Sequence, residues 1–440
     1  MLPILTLLLL VTSATSSRNK HKEHGFPQQM VEPTTSFAMT RLAMSQANFG
    51  FDLYRAVAQE SPGENIFMSP LTTSLVLAML TAGAHGATEQ ALSKTLYFSH
   101  LRNPNVHSTF CDLIQKITSG KSVSKMAARI FAARNIKIKK EFLDVVEQNY
   151  HAKPENLHGP EEKDLKKINS WVEEKTDGKI KDFLQELPSN LRMLLLSAIY
   201  FKGKWEQQFY KDNTSPVWFH INEENKTMVD MMYDSIYPVK AGRHPYLPYK
   251  VAQLEFQGDK DMLIFLPDEV TTNLTALEQS LSSDLLLNLT ESQLKSGNRI
   301  VYLPRLRLKM KKDLSTALNH LGLDDLFMAP DFHKISEEPL IVSAVTHVAT
   351  MDLTEEGAEA AAVTGVFLSR TNPIYPVFKV DRPFLFLIRD TSTGTVLFLG
   401  RVMDPTDAAV EEEEEGAEGN HGKRRRGHGK RLHKTPTTGH

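Results

Sequence analysis

From Thr40 onward apolar residues recur in steps of three and four: Leu42, Ala43, Ala47, Phe49, Leu53, Tyr54 and Val57. That is the stripe of an amphipathic helix. Ahead of it, residues 17–39 are polar and aperiodic, from Arg18-Asn-Lys-His-Lys-Glu-His-Gly to Pro33, and read as a flexible arm. Asn65-Ile-Phe-Met-Ser-Pro70 predicts a short strand and a turn, with Pro70 suited to the first turn of the next helix. That helix, Leu71 to Gly83, is almost wholly apolar and must be buried. Further helix is predicted over Ala91 to Ile117 and over Asp164 to Leu184, the latter containing Trp171 and stopping near Gly178.

From Leu194 the pattern shifts to strands, at Leu194–Trp205, Val251–Phe256, Met262–Pro267 and Ile300–Leu308, with helix at Leu274–Leu287 and Leu314–Leu321. Phe378-Lys-Val, Pro383–Arg389 and Thr395–Val402 follow, the last two joined as a hairpin through Ser392-Thr-Gly394. Helices in the first half and strands in the second predict one α+β domain over 40–405, with helices packed on large, mostly antiparallel sheets.

Between those halves and the C-terminal strands lies Thr354 to Pro376. Strict alternation puts Ala358, Ala360, Ala362, Thr364, Val366 and Leu368 on one face of an extended segment, and Glu359, Ala361, Val363, Gly365, Phe367 and Ser369 on the other. The first face has no charge and begins with the smallest side chains. It could enter an existing sheet with little volume displaced and no charge buried. A lone Arg370 follows in Ser-Arg-Thr-Asn, and the segment stops at Pro373. The same Ala-rich run is equally compatible with a short surface helix.

Composition fits a globular chain of 440 residues, 41% hydrophobic and 24% charged, with net charge −2. The single cysteine, Cys111, excludes an internal disulfide and reads as a buried structural thiol. The apolar run Leu2–Val11 is too short to span a bilayer, and Thr-Ser-Ala-Thr-Ser-Ser after it marks 1–16 as a signal peptide. Sequons at Asn213, Asn225, Asn273 and Asn288 then predict a secreted, extracellular glycoprotein. The tail, 406–440, carries the acidic block Glu411–Glu415 before Lys423-Arg-Arg-Arg426 and reads as disordered.

With these residues in view the chain resembles the serpin family over about Thr40 to Pro405. The similarity is carried by Asn65-Ile-Phe-Met-Ser-Pro70, Ile199-Tyr-Phe-Lys-Gly-Lys-Trp205, Val229-Asp-Met-Met232, Leu303-Pro-Arg-Leu-Arg-Leu308 and His347. Glu355-Glu-Gly-Ala-Glu-Ala-Ala-Ala362, Asp381-Arg-Pro-Phe-Leu-Phe386 and Phe398-Leu-Gly-Arg-Val402 complete it, in the family's order. Within the family the body is similar to the group of pigment epithelium-derived factor and antiplasmin. The loop is similar to antiplasmin alone.

The resemblance implies a suicide-substrate inhibitor of a trypsin-like serine protease, cleaved in an exposed reactive-centre loop (about 354–376) whose hinge then joins the main sheet. The hinge would comprise Glu355, Gly357, Ala358, Glu359, Ala360, Ala361 and Ala362. Ser69, Trp205 and His347 would belong to the region where the sheet opens, with His347 and Trp205 holding the loop's top end, although a plain core role accounts for these two residues better. The reactive bond is Arg370–Thr371 when counted as in antiplasmin, and follows Thr371 when counted in the commoner family spacing. Arg370 suits a trypsin-like pocket better. A non-inhibitory extracellular role like that of the epithelium-derived factor is the other reading.

Basic residues suggest heparin or another glycosaminoglycan as a second partner: Arg134, Lys137, Lys139 and Lys140 on a strand-like segment, and Lys423, Arg424, Arg425 and Arg426 in the tail. A solvated charged face accounts for the first group equally well. Lys423–Arg426 also matches a proprotein-convertase site. Gly120-Lys121-Ser122 lacks the upstream glycine of a phosphate loop, and no Gly-x-Ser-x-Gly elbow occurs. His21-x-x-His24 has no companion ligands at structural spacing. The expectation is therefore a monomer that is not an enzyme, without cofactor, metal, nucleic acid or membrane span.

Overall fold

The computed structural model describes residues 33–101, 105–118, 124–356 and 374–406. Its principal helices are α1 (Pro33–Glu60), α2 (Pro70–Gly83), α3 (Gly86–Thr95), α4 (Asn105–Thr118), α5 (Lys140–Tyr150) and α6 (Glu161–Lys175). Helix α1 starts inside the arm expected to be flexible, with Pro33 in its first turn, where a missing N–H costs nothing. Ser69 caps α2, its hydroxyl accepting from the Thr72 amide at 3.3 Å, and every residue of α2 except Ala82 is buried. Burial on all sides follows from position: α2 packs against strands of both sheets.

Early strands are β1 (Ile66–Met68), β2 (Ser124–Ala132), β3 (Glu155–Asn156) and β4 (Met193–Phe201). Then come β5 (Ser215–His220), β6 (Lys226–Arg243), β7 (Tyr249–Phe256), β8 (Lys260–Pro267), β9 (Lys295–Pro304) and β10 (Leu306–Asp313). Last are β11 (Val342–Leu353), β12 (Val377–Lys379), β13 (Phe384–Asp390) and β14 (Val396–Val402). Nine form a sheet in the order β1-β14-β13-β8-β7-β6-β9-β12, with β5 pairing β6, and five form a second sheet ordered β10-β11-β4-β2-β3. The fold is α+β, as the residue pattern predicts. Most pairings are antiparallel, but the centre of the smaller sheet is not: β11 runs parallel to β4, with His347 opposite Ser197 and Met351 opposite Phe201.

Several elements differ from the sequence expectation. Ala91–Ile117 is not one helix, because α3 ends at Thr95 and Tyr97 adopts the left-handed conformation at φ 59°. Helix α6 stops at Lys175, short of Gly178, and Leu184 is buried beyond it. Ile300–Leu308 is not one strand: β9 ends at Pro304, which has no N–H to offer a ladder, and β10 begins in the other sheet at Leu306. The expected helix Leu274–Leu287 is two helices, α7 (Thr275–Ser280) and α8 (Ser283–Asn288), divided where Ser282 caps the second. Helix α5 went unrecognised, although Phe142, Val146 and Tyr150 bury one face at four-residue steps. Cys111 is half-buried rather than buried, with Sγ 3.7 Å from the Gln148 carbonyl oxygen.

The C-terminal hairpin is as expected. Gly394 takes φ 77° in its turn, and β13 pairs with both β14 and β8. Opposite Phe67, β14 carries Gly400, where an added Cβ would meet the Ile66 carbonyl oxygen at 2.4 Å. Backbone cannot yield as a side-chain tip does. Gly400→Ala should therefore destabilise the protein by about 3 kcal/mol, seen as a lower urea midpoint. A midpoint equal to the wild type would mean that β1 shifts freely.

Candidate functional site

Strands β4 and β11, being parallel, end at the same edge of their sheet, and there the chain passes from Leu353 into Thr354. Trp205 lies just beyond β4, wholly buried and stacked on Phe256 at 4.3 Å and 17°. Its indole N–H donates to the Thr354 carbonyl oxygen at 3.0 Å. The ring is thus both core and tether, bonded to the backbone just beyond the end of β11.

Glu355 turns inward and is only 2% exposed. Its Oε1 accepts from Arg305 Nε at 2.8 Å and lies 2.7 Å from Nη2, while the Thr214 hydroxyl donates to the same oxygen. Arg305 Nη1 reaches Asp230 at 3.0 Å. Burial pushes the Glu355 carboxyl up, but the hydrogen bonds from Arg305 and Thr214 outweigh it and hold the group below its ordinary range. Glu356 points outward, 3.2 Å from Lys211 Nζ and 3.9 Å from Lys202 Nζ. A carboxylate clasp and an indole tether therefore fix Thr354 and Glu355, where the chain enters the expected hinge. Arg305, Thr214 and Asp230 were not singled out from the sequence, although Arg305 sits in the quoted Leu303-Pro-Arg-Leu-Arg run.

Gly357, Ala358, Glu359, Ala360, Ala361, Ala362, Arg370 and Thr371 lie outside the described residues. The chain re-enters at Ile374 and joins β12, which runs parallel to β9 in the larger sheet. The chain thus leaves the end of β11, an inner strand of the smaller sheet, and returns at β12, the edge strand of the larger one.

His347 does not hold the loop's top end. It sits six residues before Leu353, fully buried, in register with Ser197 of β4. The Ser69 amide donates to Nε2 at 3.0 Å, and Nδ1 is 2.8 Å from Ser197 Oγ. Nε2 must therefore carry the lone pair, and Nδ1–H faces the serine hydroxyl. Ser69 Oγ in turn donates to the Leu397 carbonyl oxygen at 2.7 Å. Ser69 and His347 thus meet across β4, β11, the start of α2 and β14, while Trp205 stands apart at the sheet's end. Burial drives the imidazole pKa down to about 3.

The basic segment is not a strand. Strand β2 ends at Ala132, Arg134 and Lys137 lie in the turn that follows, Lys139 precedes α5 and Lys140 opens it. Acidic neighbours offset their field: Lys139 pairs with Glu337, and the Lys137 amide donates to Glu338 at 3.3 Å. Lys423, Arg424, Arg425 and Arg426 lie outside the described residues. Asn213, Asn225, Asn273 and Asn288 are all exposed, and no helix of the described residues is long and apolar enough to cross a membrane.

Arg305→Ala leaves Glu355 buried with its strongest partner gone, a loss of about 2 kcal/mol; an unchanged urea midpoint would show that the clasp contributes nothing. His347 yields a pH dependence. An unfolded histidine protonates near pH 6.5, whereas this one stays neutral to about 3. The unfolded state therefore binds the extra proton, and the stability from this group is full above pH 6.5 and falls as pH drops from 6.5 toward 3, by up to about 1.4 kcal/mol per unit. His347→Asn should be far less stable than wild type at pH 7, with the gap narrowing by pH 4.5. A constant gap would contradict the assignment.

The family model for Serpin (serine protease inhibitor) matches residues 44–405. The chain is 35% identical to bovine pigment epithelium-derived factor over 382 residues, 87% of this chain and 91% of that protein. It is 37% identical to mouse alpha-2-antiplasmin over 372 residues, 84% of this chain and 74% of that one. The crystal structure of uncleaved ovalbumin superposes with a TM-score of 0.73 at 30% identity, covering 83% of this chain and 100% of that one. Two sheets joined by a loop clasped at Glu355, together with this match over most of the sequence, place the chain in the serpin family.

Proposed function

We propose that the protein inhibits a trypsin-like serine protease as a suicide substrate. The reading rests on one observation: β11 leads straight into the clasped Thr354–Glu356 while its neighbour across the seam, β4, is parallel to it. A strand folding back from Glu356 between the two would be antiparallel to both, and would exchange one ladder for two. The protease attacks the Arg370 carbonyl carbon through its serine, the Arg370–Thr371 bond breaks, and the acyl ester forms. The freed hinge then inserts, with Ala358, Ala360 and Ala362 facing one way. About fourteen residues at ~3.3 Å each carry the attached enzyme about 46 Å. Distortion of the enzyme's active site during that transfer blocks hydrolysis of the ester.

Support for a trypsin-like target comes from Arg370 and from the similarity of the loop to antiplasmin. A non-inhibitory extracellular role is the second reading, supported by the similarity of the body to pigment epithelium-derived factor. Exposure of all four sequon asparagines supports glycosylation and export, and the tail cluster Lys423–Arg426 is the better candidate for a polyanion such as heparin.

Incubation with trypsin, plasmin and thrombin should give an adduct stable in SDS with at least one of them. Ala360→Glu should turn the inhibitor into a substrate by placing a charge on the inserting face, lowering adduct yield at least tenfold. Adducts at full yield would refute the facing assignment. Loop-nicked protein should melt well above the intact form; equal melting temperatures, with no adduct, would favour the second reading.

A further inference from the structure

We propose that His85, Asp331 and His333 form a binding site for a divalent transition-metal ion, zinc above all. His85 and Asp331 are 246 residues apart in the chain, and only Asp331 and His333 are sequence neighbours. The fold brings their ligand atoms within 4.8 Å of one another. His85 Nδ1 lies 3.2 Å from Asp331 Oδ2, and His333 Nδ1 lies 2.7 Å from Oδ1. The two imidazoles meet edge to face at 4.7 Å between centroids.

The backbone beneath is fixed. The His85 amide donates to the Asp331 carbonyl oxygen at 3.0 Å. The Asp331 amide donates to Thr88 Oγ1 at 2.9 Å, and the Thr88 hydroxyl donates to Asp325 at 3.0 Å. Phe332 and Ile335 bury themselves in the core on either side of His333. Only the ligating side chains are free to adjust, and each is about half exposed.

Donor chemistry selects the ion. Two imidazole nitrogens and one carboxylate suit zinc, nickel and copper, whereas calcium and magnesium require mostly oxygen. Tetrahedral zinc bonds of about 2.0–2.1 Å set ligand atoms roughly 3.3 Å apart; the His85–carboxylate separation of 3.2 Å is close to that, and the His333–carboxylate separation of 2.7 Å must widen by about 0.6 Å. Closing the nitrogen–nitrogen distance takes a small rotation of exposed rings. Solvent supplies the fourth ligand. The adjacent cation, Lys334, is held by Glu89 at 3.0 Å, which offsets its charge. Two surface ion pairs would explain each histidine singly; a metal explains why both Nδ1 atoms converge on one carboxylate. An ion here would staple the start of α3 to the segment 329–336 that leads toward β11.

Thermal unfolding of the full chain with zinc sulfate separates this site from the histidines of the arm and tail. The His85→Ala and His333→Ala variants keep all of those other histidines, so the difference from wild type reports this site alone. At a hundredfold excess over Kd, the wild type should gain about 3 °C. His85→Ala and His333→Ala should each abolish the gain, magnesium and calcium should produce none, and His333→Cys should restore it through a thiolate ligand. Zinc titration against a chromophoric chelator should show each alanine variant holding one equivalent fewer. No shift in the wild type, or the same shift in both alanine variants, would overturn the proposal. Adduct formation with proteases is a separate readout, so failure of either idea leaves the other standing.

Discussion

Everything that positions the site depends on the seam between β4 and β11. Side by side and parallel, these strands run in one direction and finish at the same end of the sheet. The seam is closed by backbone bonds worth about 1 kcal/mol net apiece, and by a buried polar bridge. Ser69, Ser197 and His347 are all fully buried, so each must keep a partner or carry a desolvation cost of about 1–3 kcal/mol. Parting the strands therefore forfeits the imidazole–serine bond as well as a ladder. Opening the seam therefore costs both sets of bonds unless new ones replace them.

At the upper end the constraint changes from hydrogen-bond geometry to charge. Glu355 is buried in the one place where leaving it unpaired would be costly, and Arg305 spends its three donor nitrogens on Glu355 and Asp230. The outward Glu356 meets lysines in solvent, where screening makes such pairs weak. Side by side in the chain, the two glutamates have opposite tasks. One fixes the exit of β11 to the body of the molecule, and the other faces solvent beside Lys202 and Lys211. The Trp205 tether adds a directional bond to a carbonyl that has already left the ladder.

Much was legible without coordinates. The all-apolar run after Pro70 could only be a buried helix, and the C-terminal hairpin announced itself through Ser392-Thr-Gly394. The order of motifs identified the family, and with it Trp205 as a residue near the loop. Less legible were β11, whose residues are buried on both faces and so show no alternation, and β6, whose eighteen residues carry a register shift between Asp234 and Tyr237. The alternation of basic and apolar residues in Ile136-Lys-Ile-Lys139 ahead of α5 masked a helical period that was present. Breaks at Tyr97 and Arg305 depend on left-handed backbone and on a change of sheet, which periodicity does not record.

The sequence by itself determined the family, the α+β class and the chemistry of the loop, because alternation, small side chains and a lone arginine are local properties. Tertiary structure alone decided which distant groups meet. His347 reaches Ser69 and Ser197, Arg305 reaches Glu355, and His85 reaches Asp331 and His333 only because segments far apart in the chain become neighbours. Contacts of that kind are set by topology and register, and a one-dimensional pattern carries neither.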